Sequence, residues 1–431
     1  MAQAGVAQDG RSSDPPGRRV RIIGTSGDYG LRDFLTRSDL PYEWVDAADA
    51  SAEIARRGLT VERLPIVIVD DTVLVGATIE GIADAFGGRT QPLKTEYDVL
   101  IVGAGPAGLA AAVYAASDGL SVAVAEGSAP GGQASSTGRI ENYFGIDPSG
   151  PPMTGAHLAS VGVRQAESFG AELLILRAVV SGGFLDDGRH ELELSTGEKL
   201  AAPCVIIATG VDWRRLEVDG IEEFLGRGIY FGAGRSEAPF LDDCDVVVVG
   251  GGNSAGQAAL TLAERARRVT MLCRGPALSA SLSAYLATRI ETHPRIEVRM
   301  KSQVTAVSGG ERLEAITTNN EEVLRTDAMF LTLGGVPRTA WAAGHGLLTD
   351  PAGYFLTGHD LLEDGRPPDA WPLERSPHAL ESSIPGIFVA GDVRHGSTKR
   401  VAGAVGEGAM AVALVNQYLV AESERSPVGA S

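Results

Sequence analysis

The stretch that most constrains this 431-residue chain runs from Tyr97 to Gln133. An apolar run, Val99–Val102, has the unbroken hydrophobicity of a parallel strand buried on both faces. It stops at Gly103-Ala104-Gly105-Pro106-Ala107-Gly108, and an Ala-rich helical stretch follows to about Ser117. A second apolar run, Leu120–Ala125, ends on the acidic Glu126. Gly103 suits the tight turn, Gly105 lets the backbone approach a pyrophosphate, and Gly108 lets the helix pack close to the sheet. The N–H groups at the helix start and the helix dipole favour phosphate charge. Glu126 lies 18 residues beyond Gly108, where an acid that binds a ribose belongs. An ordinary Gly-rich turn is the competing reading. Strand, helix and acid in this order favour a dinucleotide site.

The rest of the composition narrows the setting. The length allows two or three domains with sizeable cores. The net charge of −18 argues against nucleic acid or an anionic membrane surface as a partner. No apolar run reads as a transmembrane helix, and the first residues show no apolar leader, so a cytoplasmic location is expected. The three cysteines, Cys204, Cys244 and Cys273, form no CxxC pair and no metal signature. Cys204 and Cys273 sit in apolar runs and read as small buried hydrophobes. Cys244 follows Asp242-Asp243, whose carboxylates are expected to raise its pKa.

Residues 1–18 are polar and are expected to form a disordered tail. From 19 to about 90 the pattern is a small βαβ–ββα unit. Its strands are expected at Arg19–Ile23, Tyr42–Asp46, Pro65–Val69 and Thr72–Val75, and its helices at Gly30–Ser38, Ser51–Arg57 and Thr78–Phe86. This order resembles a glutaredoxin or thioredoxin-like domain, with Leu64-Pro65 where that fold carries a cis-proline. The loop after the first strand, Gly24–Asp28, holds no cysteine, so the unit cannot exchange disulfides itself. Docking, dimerisation or a structural relic are the roles left open.

A polar linker, Gly87–Glu96, precedes the main body. After Glu126 come the loop Pro130–Gln133 and the segment from Arg139 to Tyr143. A helix is expected at Gly155–Phe169, then a β-rich stretch to Leu200 and an apolar strand ending at Ala208-Thr209-Gly210. A second fingerprint follows the strand Val246–Val249: Gly250-Gly251-Gly252-Asn253-Ser254-Ala255, with a helix expected to about Arg267. The next strand, Val269–Cys273, ends on Arg274 rather than on an acid. An arginine there can meet a 2′-phosphate, which favours NADP over NAD; a solvated strand-end arginine is the alternative. Residues Ile296–Phe330 alternate as a β-meander would. Near the end, Ile387–Ala390 runs into a Gly391-Asp392 turn, and a last helix is expected at Val401–Leu419 before a disordered tail.

Taken in this order, the two fingerprints, the Ala208-Thr209-Gly210 turn and the Gly391-Asp392 turn resemble the low-molecular-weight thioredoxin reductase family of flavoproteins. The resemblance covers about Tyr97 to Val420. GGGNSAGQA and KRVAGAVGE are similar to a bacterial subgroup with an N-terminal glutaredoxin-like extension. The implied fold is α/β: two Rossmann-like, three-layer dinucleotide-binding domains preceded by a small thioredoxin-like α/β domain. The implied FAD-binding domain comprises 97–213 and 336–425, and the NAD(P)H-binding domain 214–335. By resemblance, Gly103, Gly105, Pro106, Ala107, Gly108 and Glu126 hold FAD. Gly132, Gln133 and Asn142 belong to the loop beside the flavin, and Gly391 and Asp392 to the turn at its ribityl chain. Lys399, Arg400 and Val401 pass the pyrimidine edge of the isoalloxazine. Gly250, Gly252, Asn253, Ser254, Ala255 and Arg274 match the site for NADP or NAD. A homodimer is implied by the family.

The chain departs from the family at one place. Thioredoxin reductases carry a redox CxxC shortly before the second fingerprint; here Gly232 and Arg235 stand at the cysteine positions. Neither can form a disulfide. The first functional reading is therefore an FAD enzyme that oxidises NAD(P)H and passes electrons to a non-disulfide acceptor, either a small molecule or a small redox protein. Arg400 can stabilise reduced flavin, or serve as a phosphate or salt-bridge partner. A second reading is an oxidase or dehydrogenase of a small metabolite, with Tyr230, Phe231, Arg235 and Glu237 lining the space left by the cysteines or merely replacing them structurally. A third is a redox-sensing or binding module with structural FAD. No catalytic acid or base is identified. His395, after the Gly391-Asp392 turn, is the best-placed histidine, and a plain loop residue is its alternative reading.

Overall fold

The computed structural model describes residues 19–425 apart from 138, 139, 141, 142, 148, 152, 215, 233–240, 279–281 and 343. The N-terminal unit folds as β1 (Val20–Gly24), α1 (Tyr29–Arg37), β2 (Tyr42–Asp46), α2 (Ser51–Arg56), β3 (Ile66–Val69), β4 (Thr72–Val75) and α3 (Ile79–Ala85). Its sheet has the order β2-β1-β3-β4, with β1 and β2 parallel and the other pairs antiparallel. The Leu64–Pro65 bond is cis, as the thioredoxin-like pattern implies. Alternation along the strands splits the packing. Ile23, Ile66 and Ile68 face α2 through Ile54, while Val20, Ile22, Val67 and Val69 join Leu31, Phe34, Leu35 and Ile82. The second cluster runs without a break into the core of the next unit.

That unit begins with β5 (Val99–Val102), α4 (Pro106–Ser117), β6 (Val122–Glu126), α5 (Gly155–Ser168) and β7 (Glu172–Ile175). Three antiparallel strands follow, β8 (Val179–Phe184), β9 (His190–Leu194) and β10 (Lys199–Ala202), before β11 (Cys204–Ile207) returns to the parallel sheet. Each residue of β5 is at most 4% exposed. Val99 and Ile101 face the helices, and Leu100 and Val102 face the three-stranded layer. Burying each such side chain stabilises the fold by about 1.5–3 kcal/mol, which is why the strand reads as an unbroken apolar run.

Strand β12 (Val211–Trp213) crosses to a second unit. It contains β13 (Ile229–Phe231), β14 (Asp245–Val249), α6 (Asn253–Ala263), β15 (Arg268–Cys273), α7 (Ala284–Glu291) and β16 (Ile296–Met300). A meander of β17 (Val304–Gly309), β18 (Leu313–Thr318) and β19 (Val323–Arg325) follows, then β20 (Ala328–Leu331). Strand β21 (Gly335–Pro337) pairs antiparallel with β12, so the two chain crossings form one ribbon, tied by Arg338 Nε to Asp212 at 2.6 Å. The chain then completes the first unit with β22 (Ile387–Val389) and α8 (Val401–Arg425). The two five-stranded parallel sheets have the orders β22-β11-β5-β6-β7 and β13-β20-β14-β15-β16. Each is covered by helices on one face and by three antiparallel strands on the other, the expected three layers.

Four expectations need correction, and one helix was not expected. Residues 296–330 are not one meander: β16 and β20 belong to the parallel sheet. As an edge strand β16 is only half covered, so it alternates like an antiparallel strand. Helix α6 ends at Ala263, because Arg267 and Arg268 turn back to Asp245 at 3.0 Å. The last helix continues to Arg425, where Arg425 pairs with Glu422 at 2.9 Å. Helix α7 had no marked signal. Finally, α8 is long and apolar enough to cross a membrane by length and composition. Its Gly408 instead sits against the Ala107 carbonyl of α4, where an added Cβ would lie 2.1 Å away.

Candidate functional site

The glycines of the first fingerprint separate by cause. Gly103 has φ +101°, and a Cβ there would lie 2.6 Å from the Ala208 carbonyl. A Cβ on Gly108 would lie 1.8 Å from the Gly103 carbonyl. Both are demanded by the fold. Gly105 is not: its φ of −74° suits any residue, and among the described residues an added Cβ meets only Gly132 Cα at 4.0 Å. Glycine at that place fits an external group approaching the backbone. As the N-cap of α4, Gly105 brings no side-chain acceptor to the first helical amides, which remain available to an anion.

Other segments converge here. Glu126 is 6% exposed and accepts from the Ala104 N–H at 2.8 Å and the Ser128 N–H at 2.9 Å, so it ties the glycine turn to the end of β6. Gly391, with φ +80°, packs so that its Cβ would lie 2.9 Å from Ala107. Its N–H donates to Glu407 of α8 at 2.7 Å, and Glu407 also receives Arg394 at 2.7 Å. Gln133 donates to the carbonyl of Val211, and Thr209 donates to the Arg338 carbonyl at 2.9 Å, which links the loop and the turn to the crossing ribbon. Burial raises the pKa of the Asp392 carboxyl, and Lys399 opposes that shift. Lys399 donates to the Asp392 carbonyl and lies 4.3 Å from the Tyr354 ring centre. Val401 opens α8, and the Arg400 guanidinium is exposed with no bonding partner among the described residues. Gly103–Gly108, Glu126, Gly132, Ala208–Thr209 and Gly391 thus meet around one end of the first sheet.

The second fingerprint repeats the division. Gly250 has φ +148°, with a Cβ position 2.5 Å from the Thr332 carbonyl. Gly252 has φ −93° and nothing within 4 Å of its Cβ position among the described residues, and it too caps a helix without a side-chain acceptor. Ala255 is fully buried. Ser254 is exposed, whereas the Asn253 side chain accepts from the Ser283 N–H at 2.8 Å and so anchors the start of α7. Cys273 places its sulfur 3.3 Å from the Gly250 carbonyl, so the next residue, Arg274, leaves the sheet beside the fingerprint, exposed.

No thiol is poised for exchange. Burial pushes Cys273 up to about 11 and raises Cys204 further, with the carboxylate of Glu381 adding to the latter. The Cys244 pKa is raised as expected, but burial and then Asp327 are the leading causes, not the adjacent aspartates alone. Gly232 has φ +86°, a conformation that disfavours a side chain at one of the two family cysteine positions. Tyr230 is 6% exposed and stacks on Phe330 at 5.3 Å, and Phe231 packs into the core on the other face of the sheet. Tyr230 is a core residue and Phe231 is partly buried against the core, which favours structural replacement over pocket lining for these two. Asn142, Arg235 and Glu237 lie outside the described residues.

Several partners had no sequence signal. His395 sits in the loop after the Gly391-Asp392 turn with its side chain 43% exposed; its Nδ1 lies 2.7 Å from Asp350 Oδ2, and Asp350 Oδ1 accepts from the Ala352 and Tyr354 amides. Burial alone would raise the Asp350 pKa, but His395 and the two amides together hold it below the usual carboxylate value. The Arg394–Glu407 clasp and the reach of Arg37 from α1 onto Gly132 and Ser135 were likewise unforeseen.

Known proteins share this architecture. Residues 97–408 match the pyridine nucleotide-disulphide oxidoreductase family. The thioredoxin reductase of Treponema pallidum is 35% identical over 332 residues, spanning 76% of this chain and 98% of that protein. An alkyl hydroperoxide reductase component of Pseudomonas putida is 31% identical over 77% of this chain but only 59% of its own length. Among solved structures, the T. acidophilum thioredoxin reductase aligns with a TM-score of 0.66 at 27% identity, over 76% of this chain and 100% of the other. The chain therefore belongs to the pyridine nucleotide-disulphide oxidoreductase family, as a thioredoxin-reductase-like FAD-dependent oxidoreductase that lacks the redox cysteine pair.

Proposed function

We propose that the protein oxidises NAD(P)H at bound FAD and delivers the electrons to a non-disulfide acceptor, a small molecule or a small redox protein. The observation that carries this reading is the pair of helix-capping glycines, Gly105 and Gly252. Neither is required by its own backbone conformation or by its neighbours, and both stand where a phosphate would approach. FAD, when bound, supplies the two-electron chemistry. The first fingerprint, Glu126, Gly132, Gln133 and the Gly391-Asp392 turn would hold it. Lys399 and Arg400 would bring positive charge to its pyrimidine edge. Ser254 and Arg274 would receive the phosphates of the nicotinamide cofactor, with Arg274 favouring NADPH. The β12–β21 ribbon is the only paired crossing between the two units among the described residues, and it would be the axis about which they turn. A homodimer in the cytoplasm completes the proposal. Tyr114 on α4 and Met410 on the adjoining α8 leave apolar surface for a second copy.

The acceptor class is tested by NADPH consumption with a disulfide, a quinone or dioxygen as the oxidant. Turnover with quinone or dioxygen and none with the disulfide is expected, because no thiolate relay exists. Sustained disulfide reduction would contradict the proposal.

A further inference from the structure

The N-terminal unit has no thiol, yet it reaches the loop assigned above to the flavin. Arg37, the last residue of α1, donates from Nε to Ser135 Oγ at 3.1 Å and from Nη2 to the Gly132 carbonyl at 3.3 Å. Its Nη1 lies 3.7 Å from Asp33, one turn earlier, which steadies the guanidinium over the loop. Ser135 is fully buried and donates to the same Gly132 carbonyl at 2.7 Å. That carbonyl is therefore fixed from two sides. Gly132 in turn faces the fingerprint: a Cβ on it would lie 3.2 Å from Gly105 Cα.

The loop is also held by the Gly131 N–H on the Ala104 carbonyl at 2.7 Å and by Gln133 on Val211. Gly131 and Gly132 have φ +97° and +55°, conformations that glycine reaches freely and therefore leaves freely. Helix α5 wedges the loop from the opposite side, where a Cβ on Gly131 would lie 2.6 Å from Ala159. The same α5 is tied to the N-terminal unit by His157 Nδ1 and Asp39 Oδ2 at 2.8 Å. The loop thus sits between α5 and α1, and α1 is supplied by the unit that holds no cysteine.

We infer that Arg37 is a positioning residue of the flavin site, and that the thioredoxin-like unit is retained because it completes that site. The inference rests on the flavin assignment of the Gly132–Gln133 loop. It acts through cofactor retention rather than through the acceptor reaction. Without Arg37 the Gly132 carbonyl keeps only the Ser135 donor among the described residues, and Ser135 loses its tie to α1, so the loop is held less firmly.

The test uses the full-length flavoprotein and follows FAD release by the rise in flavin fluorescence, with visible circular dichroism of the bound flavin as a second readout. Arg37→Ala is expected to release FAD about tenfold faster and to change the dichroism. Arg37→Lys, which keeps the charge but not the fork of donors, is expected to recover about a third of the loss on a logarithmic scale. Arg57→Ala removes an exposed arginine of the same unit that pairs with Glu53, and is expected to match the wild type. Release from Arg37→Ala within about twofold of the wild type, or equal acceleration in Arg57→Ala, would overturn the inference. A wild-type protein that binds no FAD would overturn the flavin assignment itself.

Discussion

The two glycine fingerprints look alike in sequence and differ in what surrounds them. In the first, the Cβ direction of Gly105 points across to Gly132, the Gly391 turn packs on Ala107, and Glu126 closes the loop. In the second, the Cβ direction of Gly252 meets nothing within 4 Å among the described residues, and Ser254 and Arg274 are exposed. A cradle walled by several segments suits a cofactor held through many turnovers. An open one suits a cofactor that must leave after each. The difference lies in the neighbours, not in the glycines.

Substitutions can break this comparison at graded levels. The largest effect is expected from Gly103→Ala or Gly250→Ala, where a Cβ would sit 2.5–2.6 Å from a carbonyl at positive φ. Each should destabilise its unit by about 3 kcal/mol or more, read as a fall in the chemical unfolding midpoint. Gly105→Ala should leave the fold intact, or stabilise the apoprotein by about 0.5 kcal/mol, while weakening FAD binding by about 100-fold, measured by flavin titration. Gly252→Ala should keep the yellow cofactor and raise the KM for NAD(P)H by about 30-fold. Arg274→Ala should raise the KM for NADPH by about tenfold and leave that for NADH nearly unchanged, which sharpens the role of the open cradle.

The units should also differ in acid. His190 on β9 of the first unit is 3% exposed, and burial depresses its pKa from 6.5 to about 4. The unfolded chain therefore binds a proton more readily, so stability falls as pH drops through 6.5. About 1 kcal/mol should be lost between pH 6.5 and 5.5. Denaturant titrations at the two pH values should show this slope, and His190→Leu should abolish it.

Much of the fold was legible. Val99–Val102 and Val246–Val249 are buried on both faces, so sequence and burial carry the same signal. Strand β16 misled because an edge position exposes one face. Helix α7 escaped because it is only 8 residues long and its anchor, Asn253, lies 30 residues away. The same holds for the site. Local motifs announced the glycines and Glu126, whereas Arg37, Glu407 and Asp350 act across separations of 95, 16 and 45 residues and leave no local pattern. For Tyr230 the sequence left pocket wall and structural replacement open, and its burial in the core favours the second.

The most direct measurement is an anaerobic stopped-flow titration of the flavin with NADPH and with NADH, for the wild type and for Gly252→Ala. Rapid bleaching in the wild type, and bleaching slowed at equal nucleotide concentration in a Gly252→Ala protein that retains its FAD, is the result expected. A wild-type flavin that neither nucleotide bleaches would contradict the account, and so would a variant that bleaches as fast as the wild type.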